Sequence, residues 1–278
     1  MMTRHSKHHG PIGIFDSGVG GLSVLREVHR QLPAEDLVYI ADQAHVPYGN
    51  RSREEVFGFS AGIVRYLLKM QVKLVTIACN TASAVALTDL RAKYPSLLFV
   101  GMEPAVKPAA EETSTGVVGV LATPATFQGD LYASTVERFA KGVKILQDTC
   151  PGLVKQIEAG QISSQETREI LQRALTPMLE EGVDEIVMGC SHYPFVIPLI
   201  KEIVGEGVEV IDPAPAVARQ VERLLNEYDL RKGKQEKAEV SFYTTGKTER
   251  LDNLLQTLLG RESKSMGLNW VGENLRER

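Results

Sequence analysis

Apolar residues along this chain fall into short, near-continuous runs, separated by longer stretches in which they recur every three or four positions. The short runs predict strands at Ile12–Phe15, Leu37–Ile40, Leu74–Ala78, Leu97–Val100, Val117–Leu121, Val143–Leu146, Glu185–Met188 and Val208–Ile211. The periodic stretches predict helices at Leu22–Leu32, Arg53–Lys69, Ala82–Lys93, Ala125–Phe139, Gln165–Glu181 and Val217–Tyr228. In the first of these, Leu25, Val28 and Leu32 share one face. Strands that are apolar at consecutive positions need cover on both faces, and their alternation with helices supplies it. The expected class is α/β, with mostly parallel sheets flanked by helices.

Two segments read as copies of one another. LVTIACNTAS (Leu74–Ser83) and EIVMGCSHYP (Glu185–Pro194) each run a strand into a small residue, a cysteine, polar residues and then a helical pattern. One copy per half implies two similar domains with a cleft between them. The stretch around Gly116 reads as the crossover into the second half, and IDPAPAVA (Ile211–Ala218) as the return. The tail from Ala238, with a strand-like Val240–Tyr243 and a further helix, is expected to rejoin the first half. The first domain is then discontinuous, 1–101 plus 213–278, and the second is 102–212.

Composition narrows the function classes. The 278 residues carry 31 basic and 35 acidic side chains, a formal charge of −4, which lacks the positive field that nucleic-acid binding exploits. No apolar run approaches the ~18–20 residues of a membrane helix, and the start MMTRHSKHHG has no apolar core for a signal peptide. A cytoplasmic protein with no membrane or nucleic-acid partner is expected. His5, His8 and His9 in that start suit a polar terminus better than a metal site. The three cysteines, Cys79, Cys150 and Cys190, are too few and too scattered for a disulfide framework.

Candidate chemistry gathers at the carboxyl ends of predicted strands, where open α/β sheets bind ligands. FDSGVGG (Phe15–Gly21) lacks the spacing of a dinucleotide loop, because Ser23 stands where the third glycine belongs. Its glycines still permit a tight turn whose N–H groups suit a carboxylate, with Asp16 or Ser17 as an ordinary helix cap being the simpler reading. TGKT (Thr245–Thr248) is no phosphate loop, since Ser241 occupies the required glycine position. In ADQAHVPYGN (Ala41–Asn50), Tyr48 and Gly49 offer a hydroxyl and an N–H to a ligand, whereas Asp42 and His45 read as solvated loop residues.

The cysteine pair is the sharpest feature. A thiolate abstracts protons if a helix N-terminus or a cation lowers the thiol's pKa, and both Cys79 and Cys190 precede predicted helices. Two thiols approaching one molecule from two domains suit inversion of a stereocentre, one face losing a proton while the other gains one. A Cys-His hydrolase needs only one nucleophile, and the spacings of a zinc site are absent. Two buried cysteines closing strands would be the purely structural alternative. His192 stands two residues beyond Cys190 and is placed to share a proton with it. Asp16 plays the matching part for Cys79 if their strands are neighbours.

The ordered set FDSGVGG, ADQAHVPYG, ACNTAS and GCSHYP resembles bacterial glutamate racemase, in the aspartate/glutamate racemase superfamily, from about Pro11 to Tyr228. The resemblance implies cofactor-independent interconversion of L- and D-glutamate, with no metal, supplying D-glutamate for peptidoglycan. It implies two similar α/β domains with the active site in the cleft between them, glutamate as small-molecule partner, and a homodimer. It makes Cys79 and Cys190 the two acid/base thiols, gives Asp16 and His192 catalytic assistance, and gives Glu158 a supporting role. Asp16, Ser17, Tyr48, Gly49, Asn80, Thr81, Ser191 and His192 would hold the substrate. Two positions depart from the pattern: Ser191 replaces a usual Thr, and His45 a frequent Arg. The short N-terminal segment does not support the nucleotide-precursor activation that longer relatives imply. Aspartate racemase or a related two-cysteine isomerase is the nearest alternative, and a two-lobed amino-acid-binding protein a more distant one.

Overall fold

The computed structural model describes residues 10–233 and 238–278, so His5, His8 and His9 lie outside the described residues. The first half runs β1 (Ile12–Asp16), α1 (Leu22–Gln31), β2 (Leu37–Ala41), α2 (Arg53–Lys69), β3 (Leu74–Ile77), α3 (Asn80–Lys93) and β4 (Leu98–Val100). The second runs α4 (Val106–Glu112), β5 (Val117–Ala122), α5 (Pro124–Phe127), α6 (Asp130–Phe139), β6 (Lys144–Asp148), α7 (Leu153–Glu158) and α8 (Gln165–Glu180). It continues through β7 (Glu185–Gly189), α9 (Ile197–Val204) and β8 (Glu209–Ile211). The chain closes with α10 (Ala214–Glu227), β9 (Val240–Thr244), α11 (Thr248–Leu259), β10 (Ser265–Val271) and β11 (Asn274–Glu277).

The strands form two sheets. One is β11-β10-β9-β2-β1-β3-β4 and the other β6-β5-β7-β8. Within the first, the order β2-β1-β3-β4 repeats that of the second strand for strand, and every pair in both blocks is parallel. The internal duplication read from the two cysteine segments is therefore a duplication of sheet topology, with each cysteine following the third strand of its block. The last three strands extend the first sheet beyond β2, with Leu37 opposite Val240 and Ala41 opposite Thr244. Strands β1, β2, β3 and β7 are buried at every position, as consecutive apolar residues require.

Local chemistry sets the helix ends. Ser52 and Glu55 form a reciprocal capping box at the start of α2, satisfying two otherwise orphaned N–H groups. The stretch expected as one helix over Ala125–Phe139 is two: Gly129 is extended, and α6 restarts at Asp130. A Cβ at Gly129 would lie 3.1 Å from that of Ala84, so the break lets α3 approach. Helices α4, α7 and α9 escaped the periodicity reading because none exceeds eight residues, too short to show a repeating face. One apolar cluster runs from Leu22, Val28 and Tyr39 in the first half to Leu153, Met188 and Tyr193 in the second, so the halves share packed core. Among the described residues no helix is long and apolar enough to cross a membrane.

Candidate active site

Strands β1 and β3 are parallel neighbours, so Asp16 at the end of β1 stands beside Cys79 just past β3. This is where the strand order reverses, the usual ligand crevice of an open α/β sheet. The Asp16 carboxylate is fully buried. It accepts the Ser17 N–H at 2.7 Å on Oδ1, and on Oδ2 the Gly21 N–H at 2.7 Å and the Ser191 hydroxyl at 3.2 Å.

Three amides of the glycine loop serve carboxylates of the protein itself. Two of them cap Asp16, and the N–H of Val19 donates at 2.7 Å to Glu158 Oε1, from the other half. Asp16 is also no ordinary helix cap, since α1 begins after Gly21. The glycines are needed for space. A Cβ on Gly18 would sit 1.9 Å from Glu158 Oε1, and one on Gly20 would sit 2.4 Å from His192 Nδ1 and 2.6 Å from Ser191 Oγ.

Cys79 occupies the N-cap of α3, where its Sγ accepts the Ala82 N–H at 3.5 Å. The expected lowering of this thiol by the helix terminus is outweighed: burial pushes it well above the ordinary range, and the Asp16 charge adds to the rise. In the other half, Cys190 Sγ lies 4.0 Å from His192 Nδ1, and His192 Nε2 lies 2.8 Å from Glu158 Oε1. Glu158 is further held by Gln43 Nε2 at 3.0 Å on Oε2. Burial disfavours a charged imidazole here, but the bonds to Cys190 and Glu158 prevail and hold the His192 pKa well above its usual value. Burial works against the Glu158 charge too, yet His192 and the Val19 N–H keep its pKa below the carboxylate norm. No α-helix follows Cys190 directly: the chain enters a 3₁₀ turn at Tyr193–Val196, and α9 starts only at Ile197. The group that stands next to Cys190 is His192, in place of a helix terminus.

A cleft of about 260 Å³, part of it open to solvent, lies between the two halves. Ser17, Tyr48, Gly49, Cys79, Asn80, Thr81, Cys190, Ser191 and His192 all line it, while Asp16 and Glu158 lie behind this wall. The Asn80 amide is buried with neither its oxygen nor its nitrogen hydrogen-bonded, a costly state unless a ligand completes it. Sequence reading missed Pro47, Thr123 and Val154 in the wall. Thr123 had a signal in the duplication: it follows β5 as Ser17 follows β1, and its hydroxyl lies 3.0 Å from that of Thr81. Cys150 is buried outside this wall, its thiol pushed up by burial and by Asp148.

Asp42 and His45 are not solvated loop residues. Asp42 is fully buried and accepts the Tyr48 hydroxyl at 2.7 Å, with His45 Nδ1 at 2.9 Å on the same oxygen. Tyr48 therefore spends its proton on Asp42, and burial followed by the Asp42 charge keeps the phenol protonated.

Known proteins resemble this chain over most of its length. A family model described as Asp/Glu/hydantoin racemase matches residues 12–221. A glutamate racemase of Roseiflexus sp. (strain RS-1) is 49% identical over 249 residues, covering 89% of this chain and 92% of its own length. One from Pseudomonas aeruginosa (strain UCBPP-PA14) is 47% identical, covering 90% and 94%. Among solved structures, a glutamate racemase isoform of Bacillus anthracis superposes with a TM-score of 0.84 at 31% identity, covering 94% of this chain and 98% of that one. The Francisella tularensis glutamate racemase in complex with D-glutamate gives 0.80 at 29% identity, covering 93% and 96%. With the motifs in order and the match running through both sheets, the chain belongs to the Asp/Glu/hydantoin racemase family.

Proposed function

We propose that this chain interconverts L- and D-glutamate by exchanging the Cα proton between the substrate and two thiols, Cys79 and Cys190. The observation that carries the reading is that the thiols follow equivalent strands of the two sheets and line one cleft, each beside its own helper. Relatives named glutamate racemase align along about nine-tenths of the chain, which supports glutamate as the substrate.

In one turnover a thiolate on one face takes the Cα proton, and the electron pair stays on carbon, delocalised into the adjacent carboxylate. The thiol on the other face returns a proton to that carbon and becomes the thiolate. The pair ends with its protonation states exchanged, ready for the opposite enantiomer. Asp16 assists beside Cys79; His192, bonded to Glu158, assists beside Cys190. Stabilising the carbanion requires donors fixed in advance around the substrate carboxylate. The N-terminus of α3, with Asn80 and Thr81, supplies such donors together with a favourable dipole. Ser17, Tyr48, Gly49 and Ser191 complete the grip. The unpartnered Asn80 amide supports this assignment, because a bound amino acid satisfies it.

The same reading divides the chain into lobes 1–101 with 213–278 and 102–212, a division supported by which sheet each strand joins. It extends to a cytoplasmic homodimer that supplies D-glutamate to peptidoglycan, as the resemblance implies. The test is incubation with L-glutamate in D₂O and no added cofactor, following optical rotation and deuterium at Cα, with L-aspartate in parallel. Loss of rotation with deuterium uptake for glutamate alone supports the reading. Turnover of aspartate alone moves the specificity and keeps the two-thiol chemistry, and exchange with neither defeats both.

A further inference from the structure

Asp42, immediately after β2, is fully buried and takes four donors, two on each carboxylate oxygen. On Oδ2 these are the Tyr48 hydroxyl at 2.7 Å and His45 Nδ1 at 2.9 Å; on Oδ1 they are the Thr245 hydroxyl at 2.7 Å and Trp270 Nε1 at 2.8 Å. Two donors thus come from the loop that walls the cleft. The other two come from the chain's end, Thr245 just past β9 and Trp270 on β10. We propose that Trp270 and Thr245 are positioning residues for glutamate binding, acting through Asp42 on Tyr48 and the Tyr48–Gly49 wall of the cleft; this rests on the function proposed above.

The packing around the carboxylate leaves it little freedom. His45 stacks on Phe59 with ring centroids 3.8 Å apart, and Trp270 lies edge-on to His45 at 5.4 Å. Gly62 of α2 makes room for the indole, since a Cβ there would lie 2.5 Å from its six-membered ring. The hairpin of β10 and β11 is tied to α2 a turn further on, where Arg65 bonds the Glu273 carbonyl and, at 3.0 Å, Asn274 Oδ1. Tyr66 adds a hydroxyl bond to Glu277 at 3.0 Å. A buried carboxylate with all its donors in place holds one geometry; with one removed, the remaining donors re-aim. The group free to re-aim into the cleft is Tyr48.

Tyr48 grips substrate and moves no proton, so the proposal concerns KM and leaves kcat nearly alone. The experiment compares Trp270→Phe, Thr245→Val, Tyr48→Phe and the Trp270→Phe/Tyr48→Phe double variant for kcat, KM and melting temperature. Trp270→Phe keeps an aromatic side chain, gives up the five-membered ring, and with it removes the N–H donor. It is expected to raise KM for glutamate about tenfold with kcat within about threefold, and Thr245→Val to move KM the same way. Because both single changes act through one carboxylate, Trp270→Phe is expected to add less than about twofold in the Tyr48→Phe background. A Trp270→Phe KM within twofold of the parent, or a double variant showing the full product of the single effects, overturns the proposal. Trp270 is the only tryptophan in the chain, so its emission reads the network without any turnover. Asp42→Asn and Tyr48→Phe are each expected to shift that emission in the ligand-free protein; no shift in either defeats the coupling. If the parent racemises no glutamate, the proposed function fails, and the emission shifts still decide the coupling on their own.

Discussion

A single oxygen of Glu158, Oε1, lies 2.8 Å from His192 Nε2 and 2.7 Å from the backbone nitrogen of Val19. It therefore orients the imidazole beside Cys190 and fastens the second half to the glycine loop of the first. Glu158→Gln keeps the shape and removes the charge that helps raise the His192 pKa. The rate limb that belongs to His192 is expected to fall back toward ~6.5, and kcat to drop about 10²-fold. A kcat–pH profile of the variant checks this, and an unmoved alkaline limb counts against it.

Gly20→Ala places a methyl group 2.4 Å from His192 Nδ1. Because a displacement of about 1 Å at a reacting group costs on the order of 10²-fold, activity should fall at least tenfold. Gly18→Ala, aimed at Glu158 Oε1, should behave alike. Gly58→Ala on α2 is the internal contrast, since nothing lies within 4 Å of its Cβ. It should leave activity unchanged and stabilise by up to about 1 kcal/mol, because alanine is the better helix former. Melting curves and kcat/KM for the three variants separate space from helix propensity.

The positions of β1 to β9, the parallel pairing within both blocks and the strand-end placing of both cysteines were legible from sequence because near-continuous apolar runs suit a sheet covered on both faces, whereas the antiparallel hairpin of β10 and β11 was not. The repeated strand–Cys segments carried the duplication. Which carboxylates take the amides of the glycine loop was not legible, because Phe15–Gly21 does not reveal that Glu158, remote in sequence, takes one of them. Asp42 looked solvated for the same reason: two of its four partners, Thr245 and Trp270, lie some two hundred residues away in the chain. Local pattern identifies elements and their ends. It does not report which distant donor finds a buried carboxylate.

Cys79→Ser and Cys190→Ser should each abolish racemisation, since inversion needs a proton acceptor on one face and a donor on the other. Each variant keeps one functional side, so slow deuterium exchange at Cα should survive with one enantiomer and differ between the two variants. Proton NMR in D₂O with each enantiomer supplied separately makes the comparison. Near-normal racemisation by either variant would exclude a two-thiol mechanism.

Glu185, at the start of β7, is buried, and its Oε2 has no hydrogen-bond partner. Burial, with Asp184, Glu112 and Glu209 adding negative charge, raises its pKa to about 7. The folded value exceeds the unfolded one of ~4.3, so the unfolded state releases this proton first as pH rises. Stability is therefore full below pH ~4.3 as far as this group is concerned, and is lost progressively up to about pH 7. Glu185→Gln should raise the melting temperature by a few degrees at pH 8 and leave it nearly unchanged at pH 4. Scanning calorimetry at the two pH values checks both halves.

The extension of the first sheet by β9–β11 also orders events during synthesis. Strand β2 waits for its outer neighbour until Val240 has been made, after the whole second sheet. At ~5–20 residues per second the interval is roughly ten to forty seconds. Throughout it β2 presents an open edge, and the Asp42 carboxylate lacks the donors of Thr245 and Trp270. Nascent chains released before Val240 would carry that edge into the cell unpaired, a template for strand addition by any neighbouring polypeptide.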